Sequence, residues 1–308
     1  MLIRQNGRSL VVHTPAKLNL FLDVLAKRDD GFHELVTLMT KVSLFDTLSF
    51  REDSSGTIQL QCCNAGSANR IGNDNDANLS NTVVPTGQDN LVVRAAHLLR
   101  DFSGIQSGAR IQLLKRIPAA AGLAGGSSDA AAALVTLNQL WQTGLSSQEL
   151  HTLAAQLGSD VNFFLADASF AICRGRGQFV EPHKLPTRLH FVIAWPDTGL
   201  STANVFRHLQ IAPSGKTVDQ LAVHMQHGNL SGFAKSLHNS LQHPAEQLSK
   251  EVRHLKSVFM DLPVLGHMMS GSGSAYFGIC RSQRHSQHVA ARLKALHVGR
   301  VFAVCSQS

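Results

Sequence analysis

The stretch PAAAGLAGGSSDAAAAL, residues 118–134, sets three glycines, two serines and eight alanines within seventeen residues. Glycines free the backbone immediately before a run whose alanines favour helix more than any other residue. A strand-like segment, ARIQLLKRI, precedes it, so the local order is strand, glycine loop, helix. Such a loop is either a plain connection or a backbone bared so that something can lie against it. Strand, glycine loop and helix start together suit phosphate. The loop N–H groups can turn inward around an anion, and the helix start adds unsatisfied donors and a positive dipole end. The spacing predicts a helix starting at Ser128 or Asp129, with Ala130, Leu134, Leu137 and Trp141 on its buried stripe. Ser127 and Ser128 bring hydroxyls to that start, available to phosphate or to a magnesium ion.

Two common nucleotide loops do not match. No lysine follows the glycines, which excludes a P-loop, and the G-x-G-x-x-G spacing is absent. The kinase set of H-R-D and D-F-G is missing as well. The cradle, if it is one, is of another kind.

Composition narrows the partners. The formal charge of +7 suits either nucleic acid or a phosphorylated small molecule. Lysines and arginines are scattered and aromatics are only 6%, which argues against a dedicated nucleic-acid surface. No apolar run is long enough for a membrane helix, and the N-terminus has no secretory leader pattern. Five cysteines with no C-x-x-C spacing read as reduced thiols in a cytoplasmic protein.

Periodicity supplies the elements. SLVV and AKLNLFLDVL read as two strands, the second with Lys17, Asn19, Phe21 and Asp23 on a polar, half-buried face. Residues 62–88, rich in asparagine, read as a long, mobile surface loop. QDNLVVRAAHLLRDF predicts a helix capped by Asp89, its stripe formed by Leu91, Ala95, Leu98 and Phe102. Ser146-x-x-Glu149 has the form of a capping box, and Gly158 stands where a left-handed C-terminal glycine belongs. Asp160 then emerges just past that helix. SFAICRGRGQFVEP predicts one strand ending in a turn, and further helices are expected at 218–227, 230–241 and 245–258. A helix carrying Val289, Leu293 and Leu296 precedes a last strand, RVFAVC. Mixed strands and helices with antiparallel neighbours define an α+β pattern. The chain pauses near Pro182–Pro186, giving two domains, 1–185 and 186–308.

Three blocks in order, PAKLNLFLDVLAKRDDGFHEL, PAAAGLAGGSSDAAAAL and MSGSGSAYFGIC, resemble the three motifs of the galactokinase, homoserine kinase, mevalonate kinase and phosphomevalonate kinase superfamily. Asp30-Gly31-Phe32-His33, Leu157-Gly158-Ser159-Asp160-Val161-Asn162-Phe163-Phe164, the Gly175-Arg176-Gly177-Gln178 turn and GQDNLVVRAAHLL look like one branch, the 4-diphosphocytidyl-2-C-methyl-D-erythritol kinases. The resemblance implies an N-terminal ribosomal-protein-S5-domain-2-like domain, a C-terminal ferredoxin-like domain and an active site in the cleft between them. It implies transfer of the γ-phosphate of ATP, with Mg2+, to the 2-hydroxyl of a small molecule carrying cytidine diphosphate. The expected protein is cytoplasmic, a monomer or homodimer, and binds neither nucleic acid nor membrane.

By the same resemblance Lys17 and Asp160 form the catalytic pair. Phosphoryl transfer asks for positioning and charge neutralisation, which an ammonium beside a carboxylate near the attacking hydroxyl provides. Asn90, Pro118, Gly122, Leu123, Gly125, Gly126, Ser127 and Ser128 are expected around ATP. Asn19, Phe32, His33, Thr202 and Phe206 are expected around the cytidine substrate, the two phenylalanines facing the base and His33 meeting its edge. Gly271-Ser272-Gly273 should support the catalytic loop. Ser127 is the one candidate metal ligand. Four departures from the branch stand out. Phe32 replaces the usual tyrosine, Asn162 replaces a proline, 62–88 is long, and HNSLQHPA lacks the acidic residues of an N-D-L-E-P block. Taken singly, Lys17 reads as a solvated strand residue, Asp160 as a cap, and Phe32 and Phe206 as core. A homoserine- or mevalonate-type kinase, a non-catalytic regulator on this fold and an RNA-binding protein are the rival readings.

Overall fold

The computed structural model describes residues 3–65, 84–184, 187–212 and 214–307. The chain divides into two discontinuous units: Met1–Ala16, Phe45–Ala119 and Ala124–Ala166 in one, and Lys17–Leu44, Ala120–Leu123 and Asp167–Ser308 in the other. The expected boundary at 185/186 falls on residues outside those described, as does most of the asparagine-rich stretch, 66–83.

In the first unit β1 (Ile3–Asn6) pairs antiparallel with the start of β2 (Ser9–Lys27). The end of β3 (His33–Asp53) pairs antiparallel with β5 (Gly108–Lys115), and β4 (Ile58–Asn64) lies parallel to β5. The two expected N-terminal strands are thus one continuous strand, and Cys62–Asn64, expected in a loop, close β4. Helix α1 (Leu91–Ser103) is capped by Asn90, not Asp89: Asn90 Oδ1 accepts the Val92 N–H at 2.8 Å. Its buried face is Val92, Val93, Ala95, Ala96 and Leu99, so the expected stripe is rotated and Phe102 stands in solvent.

Helix α2 (Gly125–Leu140) begins three residues before the position expected from its serines. Ala124 precedes it in the left-handed region at φ 53°, a conformation that delivers the chain straight into the helix. Residues 128–134 are all buried. Along this stretch the helix packs against α1, α3 (Ser147–Leu157) and α4 (Val161–Leu165), and alanine is the side chain that lets neighbours approach. The capping box holds: Ser146 Oγ accepts the Glu149 N–H, and the Glu149 carboxylate accepts the Ser146 N–H at 2.7 Å. Gly158 has extended geometry, φ 170°, rather than a left-handed one, because the chain turns directly into α4. Asp160 occupies the position before α4 without capping it.

In the second unit the first half of β3 pairs with β6 (Phe170–Gly175), which forms a hairpin with β7 (Phe179–Pro182). The glycine turn thus joins two strands where one was expected. A four-stranded antiparallel sheet has the order β10 (Gly266–Met269), β11 (Tyr276–Cys280), β8 (His190–Trp195), β12 (Arg300–Cys305). Short α5 (Thr202–Arg207), α6 (Val218–Gln226) and α7 (Leu230–Lys235) follow β8. The helix expected over 230–241 stops at Lys235, because His238–Asn239 form β9, parallel to Phe21 and Leu22 of β2. The helix expected over 245–258 is two, α8 (Gln242–Leu248) and α9 (Lys250–Met260), with Ser249 ending one and capping the other. Strand β10 (Gly266–Met269) precedes β11 (Tyr276–Cys280); α10 (Gln283–Ala295) buries Val289 and Leu293 but not Leu296; β12 (Arg300–Cys305) is last. Leu22, Val192, Leu255, Phe259, Tyr276 and Leu293 belong to this unit's core. The architecture is α+β. Among the described residues no helix is long and apolar enough to cross a membrane.

Candidate active site

Strand β2 was expected to be half-buried. It is buried on both faces, and its polar residues are among the most enclosed in the chain: Lys17 is 3% exposed and Asn19 2%. Enclosed polar groups must be bonded or they cost stability. Lys17 Nζ donates to Asn19 Oδ1 at 2.5 Å, Asn19 Nδ2 donates to Thr37 Oγ1 at 2.8 Å, and the Thr37 hydroxyl donates to the Phe21 carbonyl at 2.6 Å. A solvated strand lysine would need none of this.

The same site receives the two glycine segments. The Asn19 N–H donates to Ser270 Oγ at 3.3 Å, and the Ser270 hydroxyl donates to the Gly122 carbonyl at 3.1 Å. The Lys17 N–H donates to the Leu123 carbonyl at 3.1 Å. Gly122 has φ 76°, and a Cβ there would stand 2.0 Å from the Ser270 carbonyl oxygen. A Cβ on Gly271 would meet Asn19 Oδ1 at 3.1 Å and Lys17 Nζ at 3.3 Å. Gly122 is therefore demanded by the approach of the Ser270 backbone, and Gly271, at φ 57°, by its left-handed conformation beside the lysine. Nearby, Thr202 Oγ1 and Ser272 Oγ are 2.8 Å apart.

Asn239 is a member of this site that sequence reasoning missed. It is 8% exposed, and its side-chain amide donates to the carbonyls of Met269 at 2.9 Å and Gly271 at 2.8 Å. It belongs to the block set aside for its missing acids, so the available signal was its asparagine. The replacements in that block are themselves bonded. The Ser240 hydroxyl donates to Asp23 at 2.5 Å, and Gln242 accepts the Met269 N–H at 3.1 Å.

The ATP-side candidates divide. Gly125, Gly126 and Ser127 open α2, so helix geometry leaves their N–H groups without intrahelical acceptors, and no side chain caps that end. A Cβ on Gly126 would have nothing nearer than 3.7 Å, whereas one on Gly125 would meet Lys115 Nζ at 2.9 Å. Ser127 is partly exposed; Ser128 is fully buried, with no hydrogen-bond partner for its hydroxyl. Pro118 and Leu123 are buried, and Asn90 is committed to its cap and to the Pro85 carbonyl at 2.6 Å. Beneath the loop lies a cluster not foreseen: Lys115 Nζ donates to Asp129 Oδ2 at 2.9 Å and to Asp46, and Thr14 donates to Asp129 Oδ1 at 2.7 Å. Asp160 lies in the same unit as Gly125, Gly126 and Ser127, whereas Gly122 and Leu123 belong to the other. Asn162, where a proline was expected, pairs with His151 Nδ1 at 3.1 Å and so ties α4 to α3.

The cytidine-side candidates Phe32, His33, Phe206, Asn19 and Thr202 all fall in the second unit. The rings of His33 and Phe206 are 4.8 Å apart. Phe32 is 50% exposed, which excludes the core reading for it. Partial burial, then Lys27, lowers the pKa of His33 from its ordinary value, which favours the neutral imidazole. A separate polar depression of about 770 Å³, lined by Ser54, Ser55, Arg100 and Asp101 among others, includes none of the expected site residues.

Residues 90–175 match the GHMP kinases N terminal domain and residues 221–298 the GHMP kinases C terminal domain. The 4-diphosphocytidyl-2-C-methyl-D-erythritol kinase of Pelotomaculum thermopropionicum is 40% identical over 281 residues, 91% of this chain and 92% of that one. The enzyme of that name from Shouchella clausii is 38% identical over 274 residues, 88% and 86% of the two chains. A crystal structure of 4-(cytidine 5'-diphospho)-2C-methyl-D-erythritol kinase is similar at TM-score 0.77 and 33% identity, covering 97% of this chain and all of that one. Homoserine kinase from Cytophaga hutchinsonii, at 19% identity and TM-score 0.71 over 100% of this chain and 97% of its own, shares the fold. The chain belongs to the 4-diphosphocytidyl-2-C-methyl-D-erythritol kinase family, and is an ATP-dependent small-molecule kinase.

Proposed function

We propose that this chain transfers the γ-phosphate of ATP to the 2-hydroxyl of 4-diphosphocytidyl-2-C-methyl-D-erythritol, a step of non-mevalonate isoprenoid precursor biosynthesis. The observation that carries the choice of acceptor is the Phe32-His33 turn. It exposes the aromatic ring of Phe32 and, at the next position, carries an imidazole whose pKa burial lowers, 4.8 Å from the Phe206 ring, the chemistry a pyrimidine needs for stacking and for an edge hydrogen bond. Asn19 and Thr202 supply further polar contacts to it.

In this reading Asp160 orients the attacking hydroxyl and takes its proton, while Lys17 neutralises charge that develops on the transferring group. The Asn19–Thr37 chain fixes the ammonium of Lys17 in one place, which is the positioning that phosphoryl transfer requires. Gly122, Leu123, Gly125, Gly126 and Ser127 offer backbone N–H groups to the phosphates, with Pro118 and buried Ser128 shaping the loop and Asn90 holding the helix beside the adenine.

Among the described residues no group of three or more His, Cys, Asp or Glu is arranged for a metal. In this reading Mg2+ arrives on ATP, where it keeps water and phosphate oxygens and takes one or two protein ligands. Ser127, with its partly exposed hydroxyl at the start of α2, is the ligand we assign. The ion supplies charge neutralisation on the phosphates. We retain 185/186 as the domain boundary; the two family models, 90–175 and 221–298, fall on either side of it. The five cysteines are all free thiols, which suits the cytoplasm.

The test is ADP release by the purified chain with ATP and magnesium, offered the cytidine compound, homoserine or mevalonate. Turnover of the cytidine compound alone is expected; turnover of another alcohol discards the cytidine pocket. Asp160→Asn should lose most of the turnover with an unchanged melting temperature, and near-normal activity would remove its assigned role.

A further inference from the structure

The turn that carries Phe32 and the turn of the β6–β7 hairpin meet at one pair of side chains. The guanidinium carbon of Arg176 lies 4.2 Å from the centroid of the Phe32 ring. Both backbones are fixed independently of that contact. The Arg28 N–H donates to the Phe32 carbonyl at 2.9 Å, the Phe32 N–H donates to Asp30 at 3.1 Å, and Arg28 reaches Glu34 at 2.7 Å. Gly31, at φ 82°, closes the loop. On the hairpin, Gly175 and Gly177 flank Arg176 at φ 73° and 108°, the Gly177 N–H donates to the Arg174 carbonyl at 3.1 Å, and the Arg176 N–H donates to Gln178 Oε1 at 2.7 Å. What the backbone leaves open is the side-chain rotation of Phe32 and Arg176, and their contact restricts it.

An aromatic ring half-exposed on a turn visits several rotamers, and freezing it when a ligand arrives weakens binding. A planar guanidinium stacked on one face restricts the ring beforehand and leaves the opposite face open. We propose that Arg176 is a positioning residue for the acceptor: it holds one face of Phe32 so that the other is presented to the nucleobase. The inference rests on the reading of Phe32 as the stacking residue. A lysine at 176 would keep the charge but lose the planar stack, so the proposal is about shape as well as sign.

The experiment is steady-state kinetics on the full chain for Arg176→Ala, Arg176→Lys, Phe32→Ala and the Arg176→Ala/Phe32→Ala double variant. Arg176→Ala should raise KM for the cytidine acceptor about twofold to fivefold, the size of an exposed cation–π contact, with kcat and KM for ATP unchanged. Arg176→Lys should recover part of the loss. In the Phe32→Ala background the same substitution should add less than about twofold, since the ring it acts through is gone. Where that background turns over too slowly, inhibition by cytidine diphosphate gives the comparison. An unchanged KM in Arg176→Ala overturns the proposal, and so does an equal increase in both backgrounds, which would make Arg176 a direct substrate contact. A joint loss of kcat, KM for ATP and melting temperature would also overturn it, as a structural effect. A wild-type chain that ignores the cytidine acceptor overturns the reading of Phe32 and the inference together, whereas turnover with an unaltered KM in Arg176→Ala overturns the inference alone.

Discussion

Lys115 Nζ donates to Asp129 Oδ2 at 2.9 Å with both side chains buried, directly beneath Gly125 at the start of α2. Asp46 is the ammonium's second partner and accepts the Ile117 N–H at 2.9 Å. The cluster therefore ties the end of β5 to the N-terminal part of α2. Burial disfavours the Lys115 ammonium, but the two carboxylates outweigh it and push its pKa up; burial likewise pushes the Asp129 carboxyl up, against the pull of Lys115. Lys115→Met leaves two buried acids facing each other. It should cost about 3–5 kcal/mol of unfolding free energy, measured by urea denaturation at neutral pH. Because the folded pKa of Lys115 is raised, its contribution is fully present below 10.5, its ordinary value, and is lost only as pH rises through the folded pKa.

Asn239 acts on the other glycine segment. Its two donated bonds to the Met269 and Gly271 carbonyls hold the loop beside Lys17. Asn239→Ala should destabilise by about 1–3 kcal/mol, the cost of leaving buried carbonyls unpaired. It should also lower kcat more than it raises either KM. Calorimetry and steady-state kinetics together check this; an unaltered kcat would reduce Asn239 to a structural clamp.

Two glycines of one loop should respond differently to alanine. Gly122→Ala forces a Cβ to within 2.0 Å of the Ser270 carbonyl oxygen from a left-handed backbone, so the variant should be visibly destabilised. Gly126→Ala meets nothing within 3.7 Å and replaces a helical glycine, so its melting temperature should be unchanged or rise. Its methyl group projects where phosphate is expected, so KM for ATP should rise. A Gly126→Ala variant with unchanged KM for ATP would place the phosphates elsewhere.

His33 gives the pH dependence. Its folded pKa is lowered below 6.5, first by burial and then by Lys27. Between the two pKa values the unfolded chain binds the extra proton, so stability rises with pH there and is lost on acidification. A neutral imidazole is the form expected to meet the base. KM for the cytidine acceptor should therefore be flat above neutrality and increase below pH 6.5, with KM for ATP level across the same range. His33→Ala should raise the acceptor KM and abolish that slope.

Local patterns were legible without the fold. Apolar strand-like runs marked β5, β8 and β12, and the Ser146–Glu149 pair marked the start of α3. Lys17, Asp160 and the Phe32-His33 turn came from the motif resemblance, and the roles of Asp160 and of that turn are what the variants above test. Each depends on residues a few positions apart, where period and capping chemistry act. Even locally, the chain over-read its serines: α2 starts at Gly125 because Ala124 turns left-handed and the helix packs on three others, which no residue at 127–129 announces.

Sequence determined which residue types this protein brings to its chemistry, because motif order and side-chain class are written along the chain. Tertiary structure decided which of them are held. Lys17 is buried rather than solvated because partners 2 and 20 residues away chain its ammonium to Thr37. Gly122 must be glycine because the backbone at Ser270 presses on it. Arg176 lies on Phe32 through a hairpin turn that sequence showed only as a glycine-flanked arginine. Contacts of that reach depend on which strands pair and in what register, and side-chain periodicity fixes the face of a strand but not its neighbour.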